Sequence, residues 1–298
     1  MAVIKTNQLT KRYYGATTTF RDLSVEIEEH TLTGIVGRNG VGKTTLMKMI
    51  AGFLKPTAGT VEVFDRQPFN NLFVANNRIF VDDQMAFPPS LNLREIFTQC
   101  SRFYPNWSET LAYKLSEHFR LTLTMKPGQL SKGKFSTFTA IIGIAARSPL
   151  TIFDEPTTGM DSAVRKDFYR ALLKDYVAFP RTILLSSHHV EEIEHLLENA
   201  LIIHDGKVIF HDAIDVLQQQ FIQISGKQQQ LEALIPKERV ITTSTMGPYA
   251  SWIVDDVFSE AELKQFEQAN LQITNVTAND AYVAMTTDRT GGIDDVFA

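Results

Sequence analysis

Short apolar runs that end in polar residues recur along the first two thirds of the chain. The runs at 32–37, 149–154 and 182–186 have the length and near-continuous hydrophobicity of strands that are buried on both faces of a parallel sheet. After the first run, a glycine-rich turn leads into 44–51, where apolar residues recur at helical spacing until Gly52. The pattern therefore predicts a strand, a loop and a helix, in that order, within an α/β domain.

Other segments follow different patterns. Residues 1–30 partly alternate apolar and polar positions of β type, which predicts a small antiparallel β lobe. The segment between Gln84 and Leu130 predicts helices rich in Phe, Tyr and Trp, and we interpret about 85–146 as a helical subdomain. The pattern changes again after about residue 212.

The last part of the chain predicts a separate small α/β module. It contains a strand-like run at 249–254 and a helix that begins at Ser259, where Glu262 completes a capping box. We therefore expect a domain over 1–212, followed by an accessory domain over 213–298.

Composition and charge narrow the class of protein. With 44% hydrophobic and 21% charged residues, the 298-residue chain has the composition of a soluble globular protein. No apolar run approaches the roughly 18 to 20 residues that span a bilayer, and the N-terminal residues lack the features of a secretory signal, so we expect a cytosolic protein. Its net charge of -5 does not favour a nucleic-acid partner. The single cysteine, Cys100, is expected to be a packing residue.

A glycine-rich segment supplies the first candidate chemistry. Residues 37–44 read GRNGVGKT and match the pattern GxxxxGK[ST] between a predicted strand and a predicted helix. Glycines let successive backbone N–H groups point at phosphate oxygens, and the helix N-terminus adds its positive dipole. Lys43 would reach the terminal phosphates, and Thr44 would bind Mg²⁺. The residues expected to bind nucleotide here are Gly37, Asn39, Gly40, Gly42, Lys43, Thr44 and Thr45.

A pair of carboxylates forms the second candidate site for chemistry. The apolar run at 149–154 ends in Asp154, which is followed by Glu155. The first carboxylate could hold the Mg²⁺ shell, and the second could orient and polarise an attacking water. The alternative is an ordinary solvated turn. A phosphate loop occurs in kinases, GTPases and ATPases alike and therefore does not identify the reaction. The carboxylate pair favours hydrolysis of the nucleotide.

Further motifs lie before and after the carboxylate pair in the chain. Gln84 follows a predicted strand, Leu-Ser-Lys-Gly stands at 130–133, Gly-Met-Asp at 159–161 and Ser-Ser-His at 186–188. In this order and spacing, roughly residues 3–212 resemble the ABC ATPase family. The resemblance implies a P-loop NTPase fold with a mainly parallel central sheet, an antiparallel β lobe and a helical subdomain. It also implies ATP and Mg²⁺ as cofactors.

The resemblance implies roles for residues around the phosphates. Tyr14 would stack on adenine, with Tyr13 as the alternative, and the competing interpretation of Tyr14 is a plain aromatic residue of the β lobe. Gln84 would contact the metal or the attacking water, unless it is a surface amide. His188 would contact the terminal phosphate, while the two carboxylates keep the roles given above.

The resemblance also implies that one chain is insufficient. Ser131 and Gly133 would complete the ATP site of a second subunit in a head-to-tail homodimer or heterodimer, and Asp161 would communicate across that pair. The segment 130–134, here called the signature segment, reads LSKGK instead of the commonest LSGGQ. The effect of its two lysines on the completed site stays open.

One subgroup of the family shares the lysine-containing form. Together with the aromatic segment 103–107, the signature segment resembles a bacterial subgroup of exporter ATPases linked to antimicrobial-peptide, antibiotic and toxin export. The leading hypothesis is therefore an ATP-hydrolysing transporter subunit at the inner face of the membrane, with a separate permease docked near Phe87. The alternatives are a soluble ABC ATPase acting on ribosomes or DNA and a weakly hydrolysing regulatory subunit.

Overall fold

The computed structural model describes residues 1–13, 18–187, 190–255 and 258–287. It divides into two compact units, Met1–His211 and Asp212–Ala298, where the sequence predicts a division after residue 212. The predicted site residues Tyr14 and His188 lie outside the described residues. No helix in the described part combines the length and hydropathy needed to span a bilayer.

The first unit begins with three consecutive strands, and helices separate the strands that follow, except for the last two. In chain order the strands are β1 (Ala2–Arg12), β2 (Thr18–Glu28), β3 (Leu32–Val36), β4 (Ala58–Val63), β5 (Arg78–Val81), β6 (Leu150–Asp154), β7 (Thr182–Ser186), β8 (Asn199–His204) and β9 (Lys207–Ala213). The helices are α1 (Lys43–Ile50), α2 (Leu72–Asn76), α3 (Leu93–Phe103), α4 (Glu109–His118), α5 (Lys132–Ala146), α6 (Ser162–Ala178) and α7 (Val190–Ile193). Short 3-10 turns lie at Pro127–Gln129 and Glu194–Leu196.

The central sheet has the strand order β5-β6-β7-β3-β8-β9. The first five strands pair in parallel. β9 follows β8 through the tight turn Asp205–Gly206, in which both residues have positive φ, as hairpin turns require. Every residue of β3, β6 and β7 is buried, because helices cover both faces of a parallel sheet. The predicted runs of buried strand are confirmed.

The antiparallel lobe consists of β2-β1-β4. Its inner face joins α1 and the central sheet in one apolar core that includes Leu9, Phe20, Leu46 and Ile152. This packing fixes α1, and therefore the loop before it, between two sheets. The predicted antiparallel β lobe is confirmed.

The segment predicted to be helical contains α3, α4 and α5. Its aromatic core centres on Phe97, whose ring lies 5.6 Å from Trp107, 5.9 Å from Tyr113 and 5.5 Å from Phe138, measured between centroids. Phe87 packs on the same core, 5.3 Å from Phe138, and stays half-buried. Most of these aromatics therefore serve the core of this segment.

The second unit is a separate α/β structure with its own apolar core. Its antiparallel sheet has the order β11-β12-β10-β13. The core includes Ile224, Trp252, Val254 and Phe266. Its elements are α8 (Ile214–Gln218), β10 (Phe221–Lys227), α9 (Gln228–Leu234), a 3-10 turn (Lys237–Arg239), β11 (Val240–Met246), β12 (Tyr249–Asp255), α10 (Glu260–Gln268), β13 (Gln272–Asn275) and α11 (Ala278–Thr286). The predicted capping box is confirmed: the Ser259 hydroxyl accepts from the Glu262 amide, and the Ser259 amide donates to the Glu262 carboxylate.

Candidate active site

The phosphate-loop sequence forms the connection between β3 and α1. Gly42 caps α1 with φ of 110°, a left-handed conformation that glycine adopts without a Cβ clash. A Cβ at this position would also lie 2.9 Å from Cδ1 of Phe20 in the β lobe. The loop therefore needs glycine for two reasons, its backbone angle and its close approach to β2.

Lys43 is held inside this loop. Its Nζ donates to the carbonyl of Gly37 at 2.6 Å and to that of Arg38 at 3.3 Å. Only 6% of the residue is exposed, and burial lowers the pKa of its ammonium, while the nearby charges of Glu155 and Asp154 act in the opposite direction. The loop thus pre-positions a partly desolvated cation, and an anionic ligand would favour its charged form.

A cavity of about 300 Å³ opens beside the loop. It brings together six of the seven predicted loop residues and Glu155, while Gly37 lies beneath the loop, where a Cβ would come within 2.6 Å of the Ile203 carbonyl. Tyr13 also borders the cavity, and its hydroxyl lies 3.3 Å from the Thr45 hydroxyl. The lining residues are Tyr13, Thr19, Asn39, Gly40, Gly42, Lys43, Thr44, Thr45 and Glu155.

The two carboxylates are positioned by a serine of the neighbouring strand. Asp154 ends β6 and is only 6% exposed, which excludes a solvated turn for this residue. The Ser186 hydroxyl, at the end of β7, donates to Oδ1 of Asp154 at 2.8 Å and accepts from the backbone amide of Glu155 at 2.9 Å. One buried hydroxyl therefore fixes both residues. Sequence reasoning gave Ser186 no role, although the adjacent carboxyl ends of parallel strands could have indicated one.

Glu155 has a strained backbone. Its φ of 49° places a non-glycine residue in the left-handed region, which costs roughly 1–3 kcal/mol. The Thr158 hydroxyl donates to the Glu155 carbonyl at 2.9 Å and stabilises the turn. Strain of this kind is typical of functional positions, and here it directs Glu155 to the cavity wall.

Gln84 lies three residues beyond the end of β5, the strand beside β6. Its side chain is exposed and does not line the cavity, while its backbone amide donates to Oδ1 of Asp82 at 3.1 Å. Asp82 also lies 3.7 Å from Nζ of Lys48 on α1. Burial raises the pKa of Asp82, Lys48 opposes this rise, and the nearby negative charge of Asp154 adds to it. Asp82, which sequence reasoning missed, thus ties the Gln84 turn to the phosphate-loop helix.

The oxygen donors of the site suit Mg²⁺. Asp154 offers a buried carboxylate of which only Oδ1 accepts a hydrogen bond among the described residues. Its neighbour Glu155 lines the cavity together with Thr44, whose hydroxyl is the second oxygen donor. The described residues contain no group of three or more His, Cys, Asp or Glu side chains that could enclose a metal. Mg²⁺ in phosphate sites needs none, since it takes one or two protein oxygens and completes its shell with phosphate and water.

The signature segment does not line the cavity. Ser131 caps α5, where its hydroxyl accepts from the Lys134 amide at 3.4 Å. A Cβ on Gly133 would collide with the carbonyl of Gly159. The start of α5 therefore packs directly on the turn that follows Glu155, and the Ser136 hydroxyl adds a 2.7 Å hydrogen bond to the Thr158 carbonyl.

Asp161 ends the same turn. Its carboxylate accepts from the amides of Ala163 at 3.0 Å and Val164 at 2.9 Å, so that it caps α6. Gly133 and Asp161 thus lie at one turn outside the cavity, and Ser131 caps the helix that contains Gly133. The role of these three residues across a dimer stays a prediction.

Comparisons with known proteins agree with this geometry. The family model described as "ABC transporter" matches residues 20–158, which include the phosphate loop, the signature segment and both carboxylates. The ABC transporter ATP-binding protein YtrB of Bacillus subtilis is 28% identical over 222 residues, which cover 74% of this chain and 76% of the relative. The bacitracin transport ATP-binding protein BcrA of Bacillus licheniformis is 30% identical over 221 residues, which cover 73% of this chain and 72% of the relative.

A solved structure shares the fold. A dimeric ATP-binding cassette in a post-hydrolysis state, bound to ADP and Pi, aligns with a TM-score of 0.62 and 21% identity over 71% of this chain and 98% of its own. The predicted fold class is confirmed, as is the resemblance to a bacterial subgroup that includes an antibiotic transporter. The relatives support the transporter interpretation and not the soluble alternative. The chain therefore belongs to the ABC transporter family, as an ATP-binding subunit of the ABC ATPase type.

Proposed function

We propose that this subunit couples Mg²⁺-dependent ATP hydrolysis to export through a separate membrane permease. The observation that carries the proposal is a cavity lined by both the loop-held Lys43 and the strained Glu155, next in sequence to the buried Asp154. The neighbouring charges of Glu155 and Asp154 act on the Lys43 ammonium. Binding groups and hydrolytic groups therefore share one site.

The residues of this chain would act in sequence on bound ATP. Backbone amides of 39–45 and the α1 dipole bind the phosphates, and Lys43 moves from the loop carbonyls toward their charge. Tyr13 or Tyr14 contacts the base. Asp154 and Thr44 would hold Mg²⁺, which supplies neutralisation of phosphate charge when bound. Glu155 orients the attacking water and accepts its proton, while His188 and Gln84 retain the roles that the family resemblance implies.

A second subunit would complete this site. Ser131, Gly133 and Asp161 do not line the cavity of their own chain. In a head-to-tail pair these residues would close over the partner's nucleotide, so that ATP stabilises the closed pair and hydrolysis releases it. The subunit would then act peripherally at the cytoplasmic face of the membrane.

We propose a class of transported substrate from the name of one relative and from the signature segment. BcrA is named for bacitracin transport, and the aromatic segment 103–107 with LSKGK indicates the same exporter subgroup. A peptide antibiotic or a similar amphipathic compound is the substrate class that we propose. The permease would contain the path along which this substrate crosses the membrane.

ATP turnover of the purified chain tests the hydrolytic part of this proposal. Glu155→Gln should retain ATP binding and lose roughly 100-fold or more in kcat, because the amide cannot accept the proton of the water. Removal of Mg²⁺ by EDTA should abolish turnover in the wild type. Glu117→Gln, at an exposed position on α4, is the matched control and should leave the rate unchanged. Equal rates in wild type and Glu155→Gln would contradict the assignment.

A further inference from the structure

Tyr169 is a buried phenol on α6 that has no part in the mechanism proposed so far. The residue is 1% exposed, and its ring packs against that of Phe168 with 5.2 Å between centroids. Its hydroxyl lies 3.2 Å from the Thr157 hydroxyl, within hydrogen-bond distance, and the Ser187 side chain hydrogen-bonds to the same phenol. All three polar side chains are buried. One phenol therefore joins two loops of the first unit.

The two loops leave the central sheet side by side. β6 and β7 pair in parallel up to their last residues, so the segments that follow them start from neighbouring positions. Thr157 stands two residues after Glu155. Ser187 immediately precedes His188. The Tyr169 hydroxyl is thus bound to one residue near the proposed base and to another beside the proposed phosphate contact.

The phenol is neutral, although the charge of Glu155 acts on it. Burial raises the pKa of the Tyr169 phenol, and its hydrogen bonds to the two loop hydroxyls oppose this rise, while the negative charges of Glu192 and Glu155 add to it. The phenol is therefore protonated at physiological pH. In this state it can donate one hydrogen bond and accept another, as a bridge between two hydroxyls requires.

Packing alone does not account for the hydroxyl. A phenylalanine at position 169 would fill the same volume without burying a polar group, and burial of a hydroxyl costs free energy that its hydrogen bonds must offset. Among the residues that the structure describes, both partners of the hydroxyl are side chains in loops that follow the carboxyl ends of strands. In parallel α/β sheets, ligands bind at this end. The hydroxyl therefore connects loops on the side of the sheet that holds the ATP site.

We propose that Tyr169 is a positioning residue for hydrolysis. Its hydroxyl keeps the turn after Glu155 and the residue before His188 in one fixed relation, so that both segments serve the same nucleotide. Ser186 fixes the Glu155 amide from the sheet, whereas the phenol fixes the turn beyond it from α6. Tyr169 does not line the cavity, so ATP binding should not depend on its hydroxyl. The inference rests on the proposed function, because it concerns hydrolysis at that site.

Steady-state turnover of a variant without the hydroxyl tests the inference. Tyr169→Phe keeps the ring and should lower kcat by roughly 10-fold or more, because small displacements of catalytic groups are costly in rate. The KM for ATP should stay close to that of the wild type. Equilibrium binding of a fluorescent ATP analogue should also be retained, which shows that the variant is folded.

Tyr176→Phe is the matched control on the same helix. Tyr176 is also buried, and its hydroxyl hydrogen-bonds to the His30 carbonyl at 2.6 Å and to Glu198 at 2.8 Å. His30 and Glu198 precede β3 and β8, at the end of the sheet away from the site. The variant therefore loses two hydrogen bonds of α6 and should keep the kcat of the wild type.

The Thr157 hydroxyl is tested from the other side of the same bond. Thr157→Val keeps the shape of the side chain without its hydroxyl, so its kcat should fall as well. Thr157→Ser restores a hydroxyl and should recover most of that loss. The double variant Tyr169→Phe/Thr157→Val should be no slower than Tyr169→Phe alone, since both changes remove one interaction. Additive losses, or a Thr157→Ser variant as slow as Thr157→Val, would contradict the bridge.

The positioning role and the proposed function can fail separately. A wild-type kcat in Tyr169→Phe, measured where Glu155→Gln is inactive, would overturn the positioning role and leave the hydrolytic assignment intact. Loss of ATP binding in Tyr169→Phe, or an equal loss of kcat in Tyr176→Phe, would overturn it too, because the hydroxyl would then act through binding or stability. A wild-type chain without Mg²⁺-dependent turnover would overturn the proposed function, and the inference with it.

Discussion

Local contacts of single residues fix the positions of the residues proposed to act on ATP. Lys43 is fixed by two loop carbonyls, Asp154 by one serine hydroxyl, and Glu155 by a backbone conformation that its sequence neighbours alone would not favour. The Ser186 hydroxyl matters most among these supports, because it contacts Asp154 and the Glu155 amide at once. It is fully buried, so no water can replace it without a rearrangement.

Ser186→Ala should therefore impair hydrolysis more than binding. Removing a supporting group of this kind typically costs about 10-fold to 100-fold in activity or metal affinity, and we expect a loss of that size in kcat at saturating Mg²⁺. The ATP affinity, which depends on the phosphate loop, should stay close to that of the wild type. Steady-state turnover and equilibrium binding of a fluorescent ATP analogue separate the two effects.

Ser148→Ala is the control for loss of a buried serine. Ser148 is 3% exposed and precedes β6, so it lies at the opposite end of the strand from Asp154. The kcat of the Ser148→Ala variant should match that of the wild type. An equal loss of kcat in both variants would mean that Ser186 acts through stability and not through positioning.

Packing between elements links the signature segment to the turn that follows Glu155. The start of α5 meets the turn after Glu155 so closely that only glycine fits at position 133. Arg165 of α6 extends this connection: it donates to the Met160 carbonyl at 3.3 Å and makes a bidentate pair with Glu192 of α7. The turn is thus held between α5, α6 and α7, and movement of any of these helices would reach it.

Gly133→Ala should uncouple the signature segment from the site. The added methyl would push α5 away from Gly159, and a displacement of about 1 Å at a catalytic contact can cost roughly 100-fold in rate. ATP binding to the isolated chain should persist, because the phosphate loop is untouched. Gly128→Ala, where an added Cβ meets no atom within 4 Å, should leave turnover unchanged. A similar turnover rate for the two variants would argue against a catalytic role of this packing.

A buried charge cluster joins the C-terminal ends of α5 and α6 to the start of β7. Asp175 of α6 accepts 3.0 Å and 2.6 Å hydrogen bonds from Arg147, which ends α5, and a 3.0 Å hydrogen bond from Arg181, which precedes β7. Arg181 is 3% exposed and also donates to the Thr151 hydroxyl of β6. One carboxylate therefore balances two cations where two helices and two strands meet.

Asp175→Ala should destabilise the first unit strongly. It leaves two guanidinium groups facing each other without an acid, and removal of one partner from a buried pair costs about 3–5 kcal/mol. Urea unfolding followed by the fluorescence of Trp107 in a Trp252→Phe background measures this loss. Asp167→Ala removes the exposed carboxylate that contacts His118 and should cost at most about 1 kcal/mol. Comparable losses in the two variants would refute the role of the buried cluster.

At the scale of the whole molecule, each unit contains its own core and one of the two tryptophans. Trp107 belongs to the first unit and Trp252 to the second, where it packs with Val254 and Phe266. The second unit lies outside the residues matched by the family model. A chain with two cores need not unfold in one step.

Phe266→Ala should affect the second unit selectively. Phe266 is 1% exposed, and loss of a buried Phe costs about 3–5 kcal/mol, so the unfolding transition reported by Trp252 should move to lower urea in a Trp107→Phe background. ATP binding should be retained, because every residue that lines the cavity belongs to the first unit. Val283→Ala, at a 41% exposed position, is the control and should shift the transition little. Loss of ATP binding in Phe266→Ala would contradict this separation.

The sequence by itself determined the order of elements and the chemistry of the phosphate loop. Both are local properties: buried strands appear as continuous apolar runs, and glycines beside Lys43 can bind phosphate only between a strand and a helix. The same holds for the capping box at Ser259, which depends on residues three positions apart.

Only the tertiary structure decided how distant residues meet. Ser186 joins Asp154 because β7 pairs with β6, although the two residues are separated by 32 positions in the chain. The same dependence on helix packing sets Gly133 against Gly159. Hydrophobic periodicity predicts which face of an element is buried, whereas contacts between elements depend on which faces the fold brings together.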